Sequence, residues 1–129
     1  MSIKVFNNVE VNEGSDAEYE CTFVGADDAE TVLVPSAVVT IAATLKNMTN
    51  GAVINSRLNQ NVLNVNDGTL ASDGVFTLKL GTLDNAIVGL TTGVEQHRLS
   101  LHITYTRVVG GAGVLNHEVR YFVKALRDI

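Results

Sequence analysis

Arg98-Leu99-Ser100-Leu101-His102-Ile103-Thr104-Tyr105-Thr106, then Gly110-Gly111-Ala112-Gly113, then Leu115-Asn116-His117-Glu118-Val119-Arg120-Tyr121-Phe122-Val123-Lys124: two runs of two-residue alternation flank a glycine-rich break. In the first run Leu99, Leu101, Ile103 and Tyr105 share one face, and Arg98, Ser100, His102, Thr104 and Thr106 share the other. That is the period of a strand with one wet face. In the second, Leu115, His117, Val119, Tyr121 and Val123 oppose Asn116, Glu118, Arg120, Phe122 and Lys124. With Gly110 to Gly113 as the turn, the two runs predict a long antiparallel hairpin, because a one-residue slip would put every apolar side chain into water.

The same pattern recurs upstream. Val39, Ile41, Ala43 and Leu45 alternate with Thr40, Ala42, Thr44 and Lys46, and the run stops at Asn47-Met48-Thr49-Asn50-Gly51. An Asn-Gly pair readily adopts the positive φ of a hairpin turn, so a second hairpin is expected, with its return strand near Ala52 to Leu58. Tyr19, Cys21 and Phe23 form a further apolar face, as do Phe76, Leu78 and Leu80 after Asp73-Gly74. A short strand is also expected between Asn61 and Val65, ended by Asp67-Gly68. Valine occurs 19 times and threonine 12, both β-branched and at home on a pleated, half-buried surface. The segment from Asp84 to Glu95 reads as a crossing connection, with room for one helical turn at Ala86 to Leu90. About seven or eight short strands at these spacings predict an all-β, antiparallel β-sandwich.

At 129 residues the chain is the size of one domain. Residues 16–129 are expected to form the single sandwich, with residues 1–15 as an N-terminal edge strand or an arm that pairs with a neighbouring subunit. Ile3, Val5, Val9 and Val11 are the candidate interface residues of that segment. The net charge is −5 and the nine Lys and Arg are scattered, which leaves no footprint for a nucleic-acid backbone. No apolar run approaches the roughly 20 residues that span a bilayer, so no membrane partner is expected. Cys21 is the single cysteine and reads as a small core residue. No signal-peptide pattern opens the chain, and synthesis in a reducing cytoplasm is the expectation. Asn47-Met48-Thr49 therefore reads as a polar turn rather than a glycosylation acceptor.

Reactive chemistry is hard to assemble from what remains. His97 and His102 differ by an odd number in one strand and face opposite ways, and no ligand cluster with zinc spacing accompanies His117. Asp27, Asp28 and Glu30 form an acidic loop without the twelve-residue calcium pattern, and the reading is a solvated loop. Asp67 and Asp73 each precede a glycine and are turn residues first. No nucleophile elbow or phosphate-binding loop is present, and no Cys, His and Asp set surrounds Cys21. The expectation is a non-enzymatic protein with no catalytic residue, metal or cofactor. Phe122 stands among Glu118, Arg120 and Lys124 on the polar face of its run, and it completes the list of interface candidates as an apolar anchor, with intramolecular cover as the other reading.

Val39-Thr40-Ile41 with Asn50-Gly51, Asp73-Gly74-Val75-Phe76-Thr77-Leu78, His97 to Tyr105, and Gly110-Gly111 leading to Val119-Arg120-Tyr121-Phe122-Val123 together resemble the small immunoglobulin-like structural proteins of tailed-bacteriophage particles. The resemblance covers Ser36 to Leu126 and lies at the level of the fold. It implies an immunoglobulin-like sandwich in a symmetric homo-oligomeric assembly, bound to other virion proteins as a capsid decoration or a head-tail neck or tail component. It also implies residence in the virion, with the host cytoplasm as the place of assembly. The cysteine pair and buried Trp of antibody domains are missing, and Tyr105 does not match a tyrosine corner. The alternative is a module that binds a host-surface glycan or protein through loops at one end of the sandwich, Gly25 to Pro35 and Asp84 to Gly93.

Overall fold

Alternation sustained on both sides of the glycines produces the dominant element, an antiparallel hairpin of Val94–Thr106 and Ala112–Lys124 in unbroken register from Val94 opposite Lys124 to Thr106 opposite Ala112. The computed structural model describes residues 3–25, 31–87, 93–107 and 111–125. Among these there are nine strands and no helix: β1 Ile3–Val5, β2 Glu10–Asn12, β3 Ala17–Thr22, β4 Val38–Asn47, β5 Gln60–Asn61, β6 Gly68–Leu70, β7 Val75–Leu80, β8 Val94–Thr106 and β9 Ala112–Lys124. They form a four-stranded sheet, β1-β3-β7-β6, and a five-stranded sheet, β2-β9-β8-β4-β5. The two layers share one core, in which Phe76, Leu78 and Leu80 of the first sheet and Ile41, Leu45, Leu99, Ile103 and Tyr121 of the second are fully buried. The architecture is an all-β sandwich.

The expected antiparallel pairing needs correction at the N-terminus. β1 pairs with β3 and β2 with β9, and both ladders are parallel. The N-terminal segment thus crosses from the edge of one sheet to the edge of the other, and within the described residues it pairs with its own chain.

The second hairpin is also corrected. The strand after Asn50-Gly51 is absent: the turn forms, with Gly51 at φ +73°, but pairing to β4 stops at one bridge between Lys46 and Val53. Asn55 and Ser56 both adopt positive φ and turn the chain out of the ladder. The edge of β4 is still covered, because Leu45 N–H donates to the Arg57 carbonyl at 2.9 Å and Val62 N–H to the Ile41 carbonyl at 2.9 Å. Leaving the ladder carries Ile54 and Arg57 into the interior, and Arg57 organises one end of the sandwich. The strand expected from Asn61 to Val65 shrinks to Gln60–Asn61, followed by β6.

Gly113 belongs to β9 rather than to the turn. It sits opposite Tyr105, where an added Cβ would lie 2.5 Å from the Tyr105 Cζ, so its backbone serves as the seat of the phenol ring.

Candidate functional site

The first region with chemical content is a buried polar network where β8 begins. Arg57 and Asp84 form a two-pronged pair, Nε to Oδ1 at 2.6 Å and Nη2 to Oδ2 at 3.1 Å, with side chains only 3% and 1% exposed. The carboxylate also accepts Asn55 Nδ2 at 3.0 Å and the Gly81 N–H at 2.9 Å. Next to it, Asn85 Nδ2 donates to the Ser15 and Leu80 carbonyls at 2.7 and 3.1 Å, and Asn85 Oδ1 accepts the Tyr121 hydroxyl at 3.0 Å. Burial opposes the charge on Arg57, but the hydrogen bond and charge of Asp84 outweigh it and raise the pKa. The Asp84 oxygens are thus engaged by donors from three residues on two segments. The network ties the 52–59 segment, the turn after β7, the loop before β3, and β9 together.

His97 lies beside this network, fully buried, with Nε2 2.6 Å from Glu95 Oε1 and its ring edge-on to Tyr121. Burial lowers its pKa, with the Glu95 hydrogen bond working the other way. His117, half-buried, meets the Tyr19 hydroxyl through Nε2, and burial lowers its pKa too. His102 points outward from the same strand as His97, with Nδ1 2.7 Å from Asn116 Oδ1. The opposite-face expectation holds. No group of three or more His, Cys, Asp or Glu converges among the described residues.

A pH dependence follows from the two depressed histidines. The unfolded chain takes up these protons near pH 6.5, whereas the folded chain resists them. Their contribution to stability is therefore intact above about pH 6.5 and is lost as pH falls below it. Thermal melts taken from about pH 7.5 down to about pH 5 are expected to show a falling Tm, with a shallower slope in His117→Gln. An equally steep slope in that variant would remove His117 from the account.

Cys21 is held as a thiol. Burial pushes its thiol up to about 11, with the Tyr19 hydrogen bond working against the shift, so the thiol is protonated near neutral pH.

The second region is the outer face of the five-stranded sheet. Small side chains at its centre, Ala42, Thr44 and Ser100, leave a shallow concavity of about 310 Å³ bordered by His102, Asn116 and Glu118. Its polar groups are engaged with one another: besides the His102–Asn116 bond, Asn59 N–H donates to Thr44 Oγ1 at 3.0 Å, and Arg120 Nε to Glu118 Oε1 at 2.8 Å. Val39 and Val114 are exposed, at 58% and 54%, near the end of the sheet where β8 stops. The alternation sets Val39 on the apolar face with Ile41, Ala43 and Leu45, and this is corrected: the register shifts between Val38 and Thr40, so Val38 is buried and Val39 turns outward, whereas Val114 falls on the polar side of its own run.

Of the interface candidates, Val5 and Val11 are corrected. They are buried at 2% and 1%, since β1 and β2 pair within the chain and their alternate residues point between the sheets. Val9 is partly buried against the same core. Ile3 pairs through its backbone with Ala17, and its side chain lies outside the described residues. Phe122 is half-buried on the outer face, in register with Glu10 and Gln96, and its N–H is taken by the Val9 carbonyl at 2.8 Å. Among the described side chains of the N-terminal segment, the large apolar one left exposed is instead Phe6, at 62%, in the crossing between β1 and β2.

The two loops of the alternative reading do not share an end. Gly25 lies near the Tyr105 ring and Thr106 bonds to Ala37, whereas Gly93 leads into Val94 at the other end of the same strand. Thirteen residues of strand, roughly 40 Å, separate them. The acidic group Asp27, Asp28 and Glu30 lies outside the described residues, as does the core of the 84–95 connection. Comparison with protein-family models, with curated proteins and with solved structures finds no significant match to this chain.

Proposed function

We propose that the chain is a non-enzymatic, immunoglobulin-like structural subunit of a tailed-bacteriophage particle, binding across subunits as a capsid decoration or in the head-tail neck. The observation that carries this reading is the outer face of the five-stranded sheet. It is a broad polar surface whose side-chain dipoles are mutually engaged and whose shallow centre lacks an enclosing wall, with Val39 and Val114 exposed towards one end. Such a surface suits contact with another protein better than capture and activation of a small substrate, which calls for a concave, mostly apolar site. The stretches that carry the resemblance also fall mainly in β4, β8 and β9, which are neighbours in the five-stranded sheet, and in β7 of the four-stranded one. Attachment across a subunit boundary stabilises a particle by mass action, because the bound state draws the equilibrium towards assembly.

The test is the abundance of the chain in gradient-purified particles from its source, relative to the main shell protein. A ratio near one places it on the shell, and a small fixed ratio places it in a neck or tail ring. Absence from particles overturns the proposal.

A further inference from the structure

Among the described residues one sheet edge of the sandwich is left open over half its length. In the β8–β9 hairpin the odd-numbered residues of β9 face β8 with their main-chain groups, as Arg107 N–H to the Gly111 carbonyl at 2.7 Å shows for the same register. The even-numbered residues therefore point theirs to the opposite side. At the C-terminal half of β9 that side is occupied: Asn8 N–H reaches the Arg120 carbonyl at 2.9 Å, Phe122 N–H the Val9 carbonyl at 2.8 Å, and Glu13 N–H the Lys124 carbonyl at 2.9 Å. Arg120 N–H is held by the Asn7 side chain at 3.1 Å. From Ala112 to Glu118 no partner is present among the described residues, and the main chain of Ala112, Val114, Asn116 and Glu118 faces outward as an open edge.

We propose that this edge pairs with the same edge of a second copy, antiparallel, about a two-fold axis through Leu115. The free groups lie on alternate residues placed symmetrically around Leu115, so this register sets Val114 against Asn116 of the other copy and Ala112 against Glu118. It uses every open donor and acceptor, closing about eight main-chain hydrogen bonds. No like charges meet. A shift of one pair towards the C-terminus brings Arg120 into the ladder, where Asn7 and Asn8 already hold its main chain, and a shift of two further brings Glu118 of the two copies close. Leu115 faces inward, packs against the core only in part, and meets its own counterpart in a pair without hydrogen bonds, the class in which side chains approach closest. The axis thus also covers the half-exposed apolar side of Leu115. An unprotected edge of this length invites pairing, and isologous closure uses it up without open-ended growth.

The inference extends the proposed function by naming a second copy as a partner and rests on it only for the premise that the chain works through protein contact. A chain that is monomeric in solution yet present in particles overturns the dimer and leaves the virion reading standing. Sedimentation of the whole chain over a concentration series is expected to show a reversible dimer. Asn116→Pro removes no main-chain hydrogen bond within one copy, because the Asn116 N–H points away from β8, and it loses only the exposed side-chain bond to His102, yet it deletes a central donor of the new ladder. It is expected to be monomeric at every concentration used. The register has its own readout: with Cys21 replaced by Ala, Leu115→Cys is expected to form an intermolecular disulfide on mild oxidation, and Asn116→Cys, which faces Val114, is not. A monomeric parent chain, a dimer unchanged by Asn116→Pro, or cross-linking through position 116 in place of 115 each overturns the proposal.

Discussion

Asp84→Ala is expected to lower unfolding stability by about 3–5 kcal/mol, the cost of stranding a buried charge by removing its partner. Arg57 is the charge left behind. Its guanidinium is held on two nitrogens by the Asp84 carboxylate, and its remaining contacts are Gln60 Oε1 at 2.7 Å, the Asn66 carbonyl at 3.2 Å, and Asp67 and the Lys79 carbonyl at 3.5 Å. None of these supplies a buried counter-charge, since Asp67 is 64% exposed. The Gly81 N–H and Asn55 amide lose their acceptor as well. Denaturant titration reads the effect as a lower midpoint at unchanged slope. The double variant Arg57→Met with Asp84→Leu is expected to recover most of the loss, because an apolar pair of similar volume needs no desolvation of charge. A loss below about 1 kcal/mol in Asp84→Ala would mean that Arg57 finds water or another acceptor and that the network does not secure this end of the sandwich.

That network also marks the limit of what the sequence disclosed. The hairpin of β8 and β9, the strand at Phe76 to Leu80 and the outward turn of His102 against His97 follow from two-residue periodicity, and a period is a local property. Arg57 is invisible to that reading: it stands in an asparagine-rich stretch with no period, between Asn55-Ser56 and Asn59, all at positive φ. Asparagine is among the few residues that accept this conformation, so the cluster was a signal that the chain turns rather than pairs. The N-terminal valines were misplaced for a related reason. Alternation at Val9 and Val11 says that one face is buried, but the covering surface is set by β9, more than a hundred residues away in the chain. Which edge remains open is likewise a matter of how far β2 extends along β9, and no local pattern encodes that length.

Gly68→Ala is expected to cost about 3–5 kcal/mol, far above the usual price of adding a methyl group, because the obstruction is backbone. An added Cβ would stand 2.0 Å from the Val62 carbonyl oxygen and 2.9 Å from its carbonyl carbon. Asp67-Gly68 reads in the sequence as a turn pair, yet it is Asp67 that takes the positive φ, at 73°, while Gly68 is paired in β6 opposite Leu78. The glycine is required for close approach. Val62 is bonded to Ile41 of the five-stranded sheet and Gly68 to β7 of the four-stranded one, so the chain passes from one layer to the other within these residues and crosses tightly over itself. Relief by a side-chain rotation is closed off, since the blocking atoms are main chain and Val62 is fully buried. Gly51→Ala is the contrasting control. Gly51 has φ +73° with open space around it, so its substitution carries only the left-handed penalty of about 1–2 kcal/mol. Equal losses in the two variants, measured by denaturant titration, would mean that the crossing relaxes and that the layers are not pinned at Gly68.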